Sequence, residues 1–159
     1  MNLITAFIAS RVIGAFEDTI TQLIALATLM PIVASIGGNT GNQTAALMVR
    51  GLALKQINQE NANIFFRKEI AVSIINGMMW GFTVAVFAYV FYGNFSLSIV
   101  IFTSIIICLG IAAVAGAMIP FNLSKYGKDP IMGSSVMLTA VTDIMGFFIF
   151  LGMASIFLI

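Results

Sequence analysis

Apolar runs of about 20 residues constrain this chain more than anything else in it, because each is long enough to cross the ~30 Å hydrocarbon core of a bilayer. Only helices and closed barrels satisfy all their backbone groups in such a solvent. A barrel would show ~10-residue alternating segments, and none is visible. Of the 159 residues, 60% are hydrophobic and 8% charged, where a soluble domain carries about 25% charged. Mean hydropathy is +1.09. The sequence reads as an all-α integral membrane protein in contact with the lipid bilayer.

Five transmembrane helices are expected, at about 2–16, 19–54, 69–91, 96–119 and 130–158, in a single transmembrane domain over 1–159. The first is short: ~15 helical residues cover ~22 Å. It reads as a truncated helix whose beginning is missing. The second is longer than a bilayer needs, so it should tilt, kink near Gly37-Gly38 or extend past the membrane. The fourth should stop at Pro120. Asp129-Pro130 offers an N-cap followed by proline at the first helical position of the fifth. Tyr89, Tyr92 and Phe95 read as an interfacial belt.

Basic residues set the orientation. Arg50, Lys55, Arg67 and Lys68 flank the second-to-third loop, and Lys125 and Lys128 lie in the fourth-to-fifth. The other two loops carry neither Lys nor Arg. Alternate loops are thus positive, which puts the N-terminus in the cytoplasm and the C-terminus outside the cell (inner) membrane of a multi-pass protein.

Several classes of function fall away. There is no His and one Cys, Cys108, so thiolate zinc sites, haem ligation, disulfides and Cys-His catalysis are excluded within one chain. Cys108 reads as packing. A net charge of +1 gives no reason to expect nucleic acid as a partner. No GxxxxGK[ST] motif is present, and nothing suggests an enzyme.

What remains is polarity inside the apolar segments. Gly37-Gly38-Asn39-Thr40-Gly41-Asn42-Gln43-Thr44 interrupts the second. On a helix, Ser35, Asn39, Asn42, Gln43 and Ala46 form one stripe. Gly37 and Gly41 make a small-xxx-small pair that lets another backbone approach. Such amides can act as helix glue, but those bonds bring only ~0.6–2 kcal/mol each. A water-filled path for something polar explains the cluster better. On the fifth segment Ser135, Thr139 and Asp143 share a face that Gly146 continues. Asp143 lies ~20 Å along that helix from Pro130, deep in the membrane, where an acid marks a functional site by default. The bland alternative is an ion pair with Arg11.

One carboxylate is too few for a divalent ion. A two-fold homodimer would oppose two copies of Asp143. With amide, hydroxyl and backbone oxygens they would form a hard-donor site suited to Mg2+, Ca2+ or Mn2+. Mg2+ keeps its waters, and glycines and small hydroxyls leave room for them.

These residues resemble a known family. Pro31 to Gln43 followed by Arg50-Gly51-Leu52-Ala53 is similar to the second transmembrane helix of the MgtE magnesium channels. Asp129-Pro130, Ser134-Ser135 and Thr142-Asp143-Ile144-Met145-Gly146 resemble their fifth. The resemblance implies a homodimer with the pore on the two-fold axis and Asp143 binding the hydrated ion. It implies that Asn42, a glycine bend at Gly38 and the backbone near Thr139 line the same path. Ser135 stands where some members have an amide, and Ser35 where a small glycine occurs. The metal-site candidates are therefore Asp143, Asn42, Thr139, Asn39 and Ser135. The pore-lining candidates are Gly38, Gln43, Gly37, Ser35 and Gly146. The family's cytoplasmic regulatory N-terminal region is absent from this sequence, so the resemblance implies the membrane domain alone, without Mg2+-dependent closure. The expected function is passive entry of Mg2+, with Mn2+, Co2+ and Ca2+ as further divalent metal ions. The alternative is a carrier exchanging Mg2+ for a counter-ion.

Overall fold

The computed structural model describes residues 2–159, and among them all regular structure is helical. α1 is Asn2–Gly14, α2 Glu17–Gln22, α3 Ala25–Ala53, α4 Ala62–Tyr92, α5 Phe95–Lys125 and α6 Pro130–Phe157. Among the described residues three stretches are long and apolar enough to cross a membrane: Ala62–Tyr92, Phe95–Lys125 and Gly133–Phe157. At 29 residues α3 spans about 44 Å, but its run is broken by Asn39, Asn42 and Gln43.

The helix ends follow from local chemistry. Gly93 adopts φ 63°, the left-handed conformation that closes a helix, and donates to the Tyr89 carbonyl at 2.8 Å. Asn94 then caps α5 by accepting from the Leu97 N–H at 3.1 Å. Two residues therefore reverse the chain, and α4 and α5 pack along their length as a hairpin. At the other end, Asp129 accepts from the Ile131 N–H at 2.8 Å, with Pro130 opening α6. We call these the turn end and the loop end.

α5 is the central helix, packed on α3, α4 and α6. Near the turn end, Leu26, Leu29, Met30 and Val33 of α3 meet Leu97, Ile101, Ile105 and Leu109 of α5 and Phe150 and Leu151 of α6. Nearer the loop end small residues take over: Gly41, Ala112, Gly116 and Ala117 are buried there. Helices in lipid associate through close packing, and small residues allow it.

Three boundaries differ from the sequence expectation. The 19–54 segment is two helices, interrupted at Leu23 (φ −137°, ψ 86°). No Gly or Pro marks that break. Phe16, Ile20 and Leu23 pack on the core, so tertiary contact overrides local propensity. Helical structure then continues through Pro31 and Gly37-Gly38 without interruption. α5 passes Pro120 and runs to Lys125, because Phe121 packs edge-on against Phe66 of α4 at 5.9 Å. α4 begins at Ala62 rather than near Glu69. Just before it Asn58 and Asn61 close a turn: the Asn58 N–H donates to Asn61 Oδ1 at 2.8 Å and the Asn61 N–H to Asn58 Oδ1 at 3.0 Å.

Candidate ion-pathway site

α3 and α6 cross along a line of small contacts. A Cβ built on Gly38 would lie 3.8 Å from Thr142 Oγ1, and one on Gly146 would lie 3.8 Å from the Ala34 Cα. Gly41 faces Leu138, with 3.0 Å to its Cδ1. The contact ridges are thus Ala34-Gly38-Gly41 on α3 and Leu138-Thr142-Gly146 on α6. Each α6 contact residue is one position from a candidate or shares its turn: Thr139 follows Leu138 and Asp143 follows Thr142. The polar stripes lie beside the crossing.

The α3 stripe faces outward. Ser35, Asn39, Asn42, Gln43 and Ala46 are all exposed, while Val33, Gly37, Thr44 and Met48 are buried on the opposite face. On α6, Ser135 and Thr139 are exposed and Asp143 is half-buried. A cleft of about 390 Å³ joins the two helices toward the loop end, lined by Asn42, Ala45, Ala46, Val49 and Arg50 of α3 and by Ile131, Ser134 and Ser135 of α6. The structure therefore brings Asn42 and Ser135 to one cleft and sets Gly38 against Thr142. Gly37 and Gly146 instead lie on buried faces, Gly37 on the side of α3 away from the stripe.

Asp143 has neither hydrogen bond nor ion pair among the described residues, and Arg11 is exposed at the end of α1 with no pairing to it. Among the described residues no buried side-chain oxygen or nitrogen is left unpartnered, so the Asp143 oxygens reach the open side of the helix. An unneutralised carboxylate at this depth is costly unless something cationic compensates it. Among the described residues no three His, Cys, Asp or Glu converge to hold a metal. One copy thus supplies a single carboxylate with neutral oxygens around it. Some hydroxyls are already engaged: Thr139 Oγ1 donates to the Ser135 carbonyl at 2.9 Å, and Thr142 Oγ1 to the Leu138 carbonyl at 3.0 Å. Their lone pairs remain acceptors for the hydrogens of water, as a hydrated cation requires.

Two residues of consequence escaped the sequence reading. Thr142 is buried at the crossing itself. Glu69 is buried seven residues inside α4 and accepts a hydrogen bond from Thr44 Oγ1 at 3.2 Å. The signal was present: Glu69, Ser73, Gly77 and Gly81 recur every four residues and form one buried ridge.

A family model described as "MgtE: Divalent cation transporter" matches residues 30–153. The chain is 32% identical over 156 residues to "Magnesium transporter MgtE" of Bacillus subtilis (strain 168), covering 98% of this chain and 35% of that protein. The protein of the same name from Thermus thermophilus is 31% identical, with 98% and 34% covered. The one from Enterococcus faecalis is 27% identical, with 94% and 33% covered. The chain thus spans about a third of the length of the curated relatives it matches. The match spans α3 to α6, including both helices of the crossing, and the chain belongs to the MgtE family of divalent cation transporters.

Proposed function

We propose that this domain forms the ion pathway of a divalent-cation channel that passes Mg2+ into the cytoplasm. The observation that carries this reading is Asp143: a partnerless, half-buried carboxylate on α6, one residue past the α3–α6 contact and on the ridge that runs through Thr139 to Ser135. The relatives' names, magnesium transporters, support Mg2+ as the transported ion. Five segments cross the membrane in this reading: α1 with α2, α3, α4, α5 and α6. The loop end faces the cytoplasm, since every Lys and Arg except Arg11 lies there.

A single copy has an open stripe and one acid. A homodimer places two stripes around a two-fold axis and two copies of Asp143 across it. Two carboxylates neutralise a dication, while Asn39, Asn42, Gln43, Ser35, Ser135 and Thr139 hold its waters. Ligation through water suits an ion that dehydrates reluctantly, and it leaves binding weak enough for the ion to move on. Two charges crossing 100 mV gain about 4.6 kcal/mol, so entry needs no coupled energy source.

Purified protein in liposomes with an internal Mg2+ indicator tests this. Parent protein should give uptake that Asp143→Asn lowers at least tenfold while the variant remains dimeric. Parent-like uptake by Asp143→Asn would refute the site. Uptake that strictly requires an opposing gradient of another ion would make the protein a carrier.

A further inference from the structure

Toward the turn end large side chains lock α3 to the core, but toward the loop end its seat is mostly small. There glycines meet backbone and short side chains, Gly41 with Gly116 and Ala112, Gly38 with Thr142 and Gly146 with Ala34, while Leu138 fills the Gly41 notch and Met48 is buried. Such contacts permit close approach and leave few large knobs to resist rotation about the helix axis. Yet the stripe works only if α3 holds one rotation. At 100° per residue, one position of slippage would carry Asn42 out of the cleft and put Ala45 or Leu47 where Ala46 now faces.

A polar tie crosses to α3 at this level. Thr44 lies two residues from Asn42 and two from Ala46, on the opposite, buried face. Its hydroxyl donates to Glu69 Oε2 at 3.2 Å. Glu69 is the charged residue buried among the described residues, 8% exposed, within the membrane-length helix α4. α3 and α4 otherwise scarcely touch here; their second link is the Thr28–Tyr92 hydroxyl pair at the turn end, 2.6 Å apart. A carboxylate buried in a membrane span is costly, and nothing in packing alone calls for one.

We propose that Glu69 is a positioning residue for the pathway: through Thr44 it fixes the rotation of α3, and so selects the side chains that face the cleft. Glu69 sits behind α3 and does not itself meet the ion. The inference rests on reading α3 as a pathway wall, but its primary test does not depend on transport. Single cysteines at Ala45, Ala46 and Leu47 are labelled with a water-soluble thiol reagent in the full-length protein, whose native Cys108 is buried. In the parent, Ala46→Cys should react fastest. Glu69→Ala should slow Ala46→Cys at least threefold and speed Ala45→Cys or Leu47→Cys in step. Thr44→Val should reproduce that pattern, and the double variant should add nothing further. Glu69→Gln, which still accepts from Thr44, should keep the parent pattern. In liposomes the same variants should shift the Mg2+ to Ca2+ uptake ratio severalfold, with Glu69→Gln restoring it. A parent labelling pattern in Thr44→Val, or in a folded Glu69→Ala, overturns the proposal. Should Glu69→Ala fail to fold, Thr44→Val and Glu69→Gln still decide. Absence of Mg2+ uptake by the parent would refute the channel reading while leaving the labelling result intact.

Discussion

Gly116 of α5 lies directly against the backbone carbonyl of Gly41 of α3. A Cβ on Gly116 would strike that oxygen and come within 3.1 Å of the Thr44 Cβ. Neither obstacle is the flexible end of a side chain. The two helices can cross here only because position 116 has no side chain, and this crossing sets the depth at which α3 sits on the core.

Gly116→Ala should therefore destabilise the protein by about 1–3 kcal/mol, the range for overpacking a filled interior. Gly110→Ala on the same helix meets nothing within 4 Å and should be neutral or stabilising by up to about 1 kcal/mol. Thermal unfolding in detergent, read by circular dichroism, compares the two. Equal melting temperatures would show that the crossing yields more easily than its geometry implies.

The hairpin turn gives a second prediction. Asn94→Ala removes the cap from α5 and should cost about 0.5–2 kcal/mol. Gly93→Ala forces a Cβ into the left-handed region at φ 63° and should cost about 1–2 kcal/mol. Because the two act on one turn, the double variant should fall short of their sum. The same melts measure all three.

The cleft between α3 and α6 is open, so it can be filled without disturbing the core. Ala46 and Ser135 are both exposed on it. Ala46→Trp and Ser135→Trp should leave the melting temperature within about 2 °C of the parent, the shift expected for well under 1 kcal/mol at this size. Each should reduce Mg2+ uptake at least fivefold. An equally bulky change on the outward face of α4, Val86→Trp, should spare uptake. If all three behave alike, the pathway lies elsewhere.

Ion recognition separates charge from volume at one position. Asp143→Glu keeps the carboxylate but adds a methylene, and should retain part of the uptake. Asp143→Asn keeps the volume and loses the charge, and should lose nearly all of it. The reverse ranking, with Asn the milder change, would mean that space rather than charge governs the site.

Much of this arrangement was legible beforehand. Hydropathy alone gave the helical membrane class. The four-residue spacing of Ser135, Thr139 and Asp143, and the stripe through Asn39 and Asn42, put each set on one exposed helix face. Asp129-Pro130 marked a helix start in chemistry that does not depend on the rest of the fold. What escaped depended on partners distant in sequence. The interruption at Leu23 carries no local signal, since it comes from packing Phe16, Ile20 and Leu23 on the core. Pro120 reads as a stop, yet the helix passes it because Phe121 finds Phe66. Glu69 reads as a boundary because charge is expected at membrane edges, and only the position of Thr44 reveals why it is inside.

The two-residue reversal at Gly93-Asn94 also orders assembly. α4 and α5 meet through neighbours in sequence, so closing their loop costs little and the pair can form early. α3 and α6 come from opposite halves of the chain, and their contacts, Gly38 with Thr142 and Gly41 with Leu138, must wait for everything between them. On that order the wall that would carry ions is completed after the hairpin it is raised on.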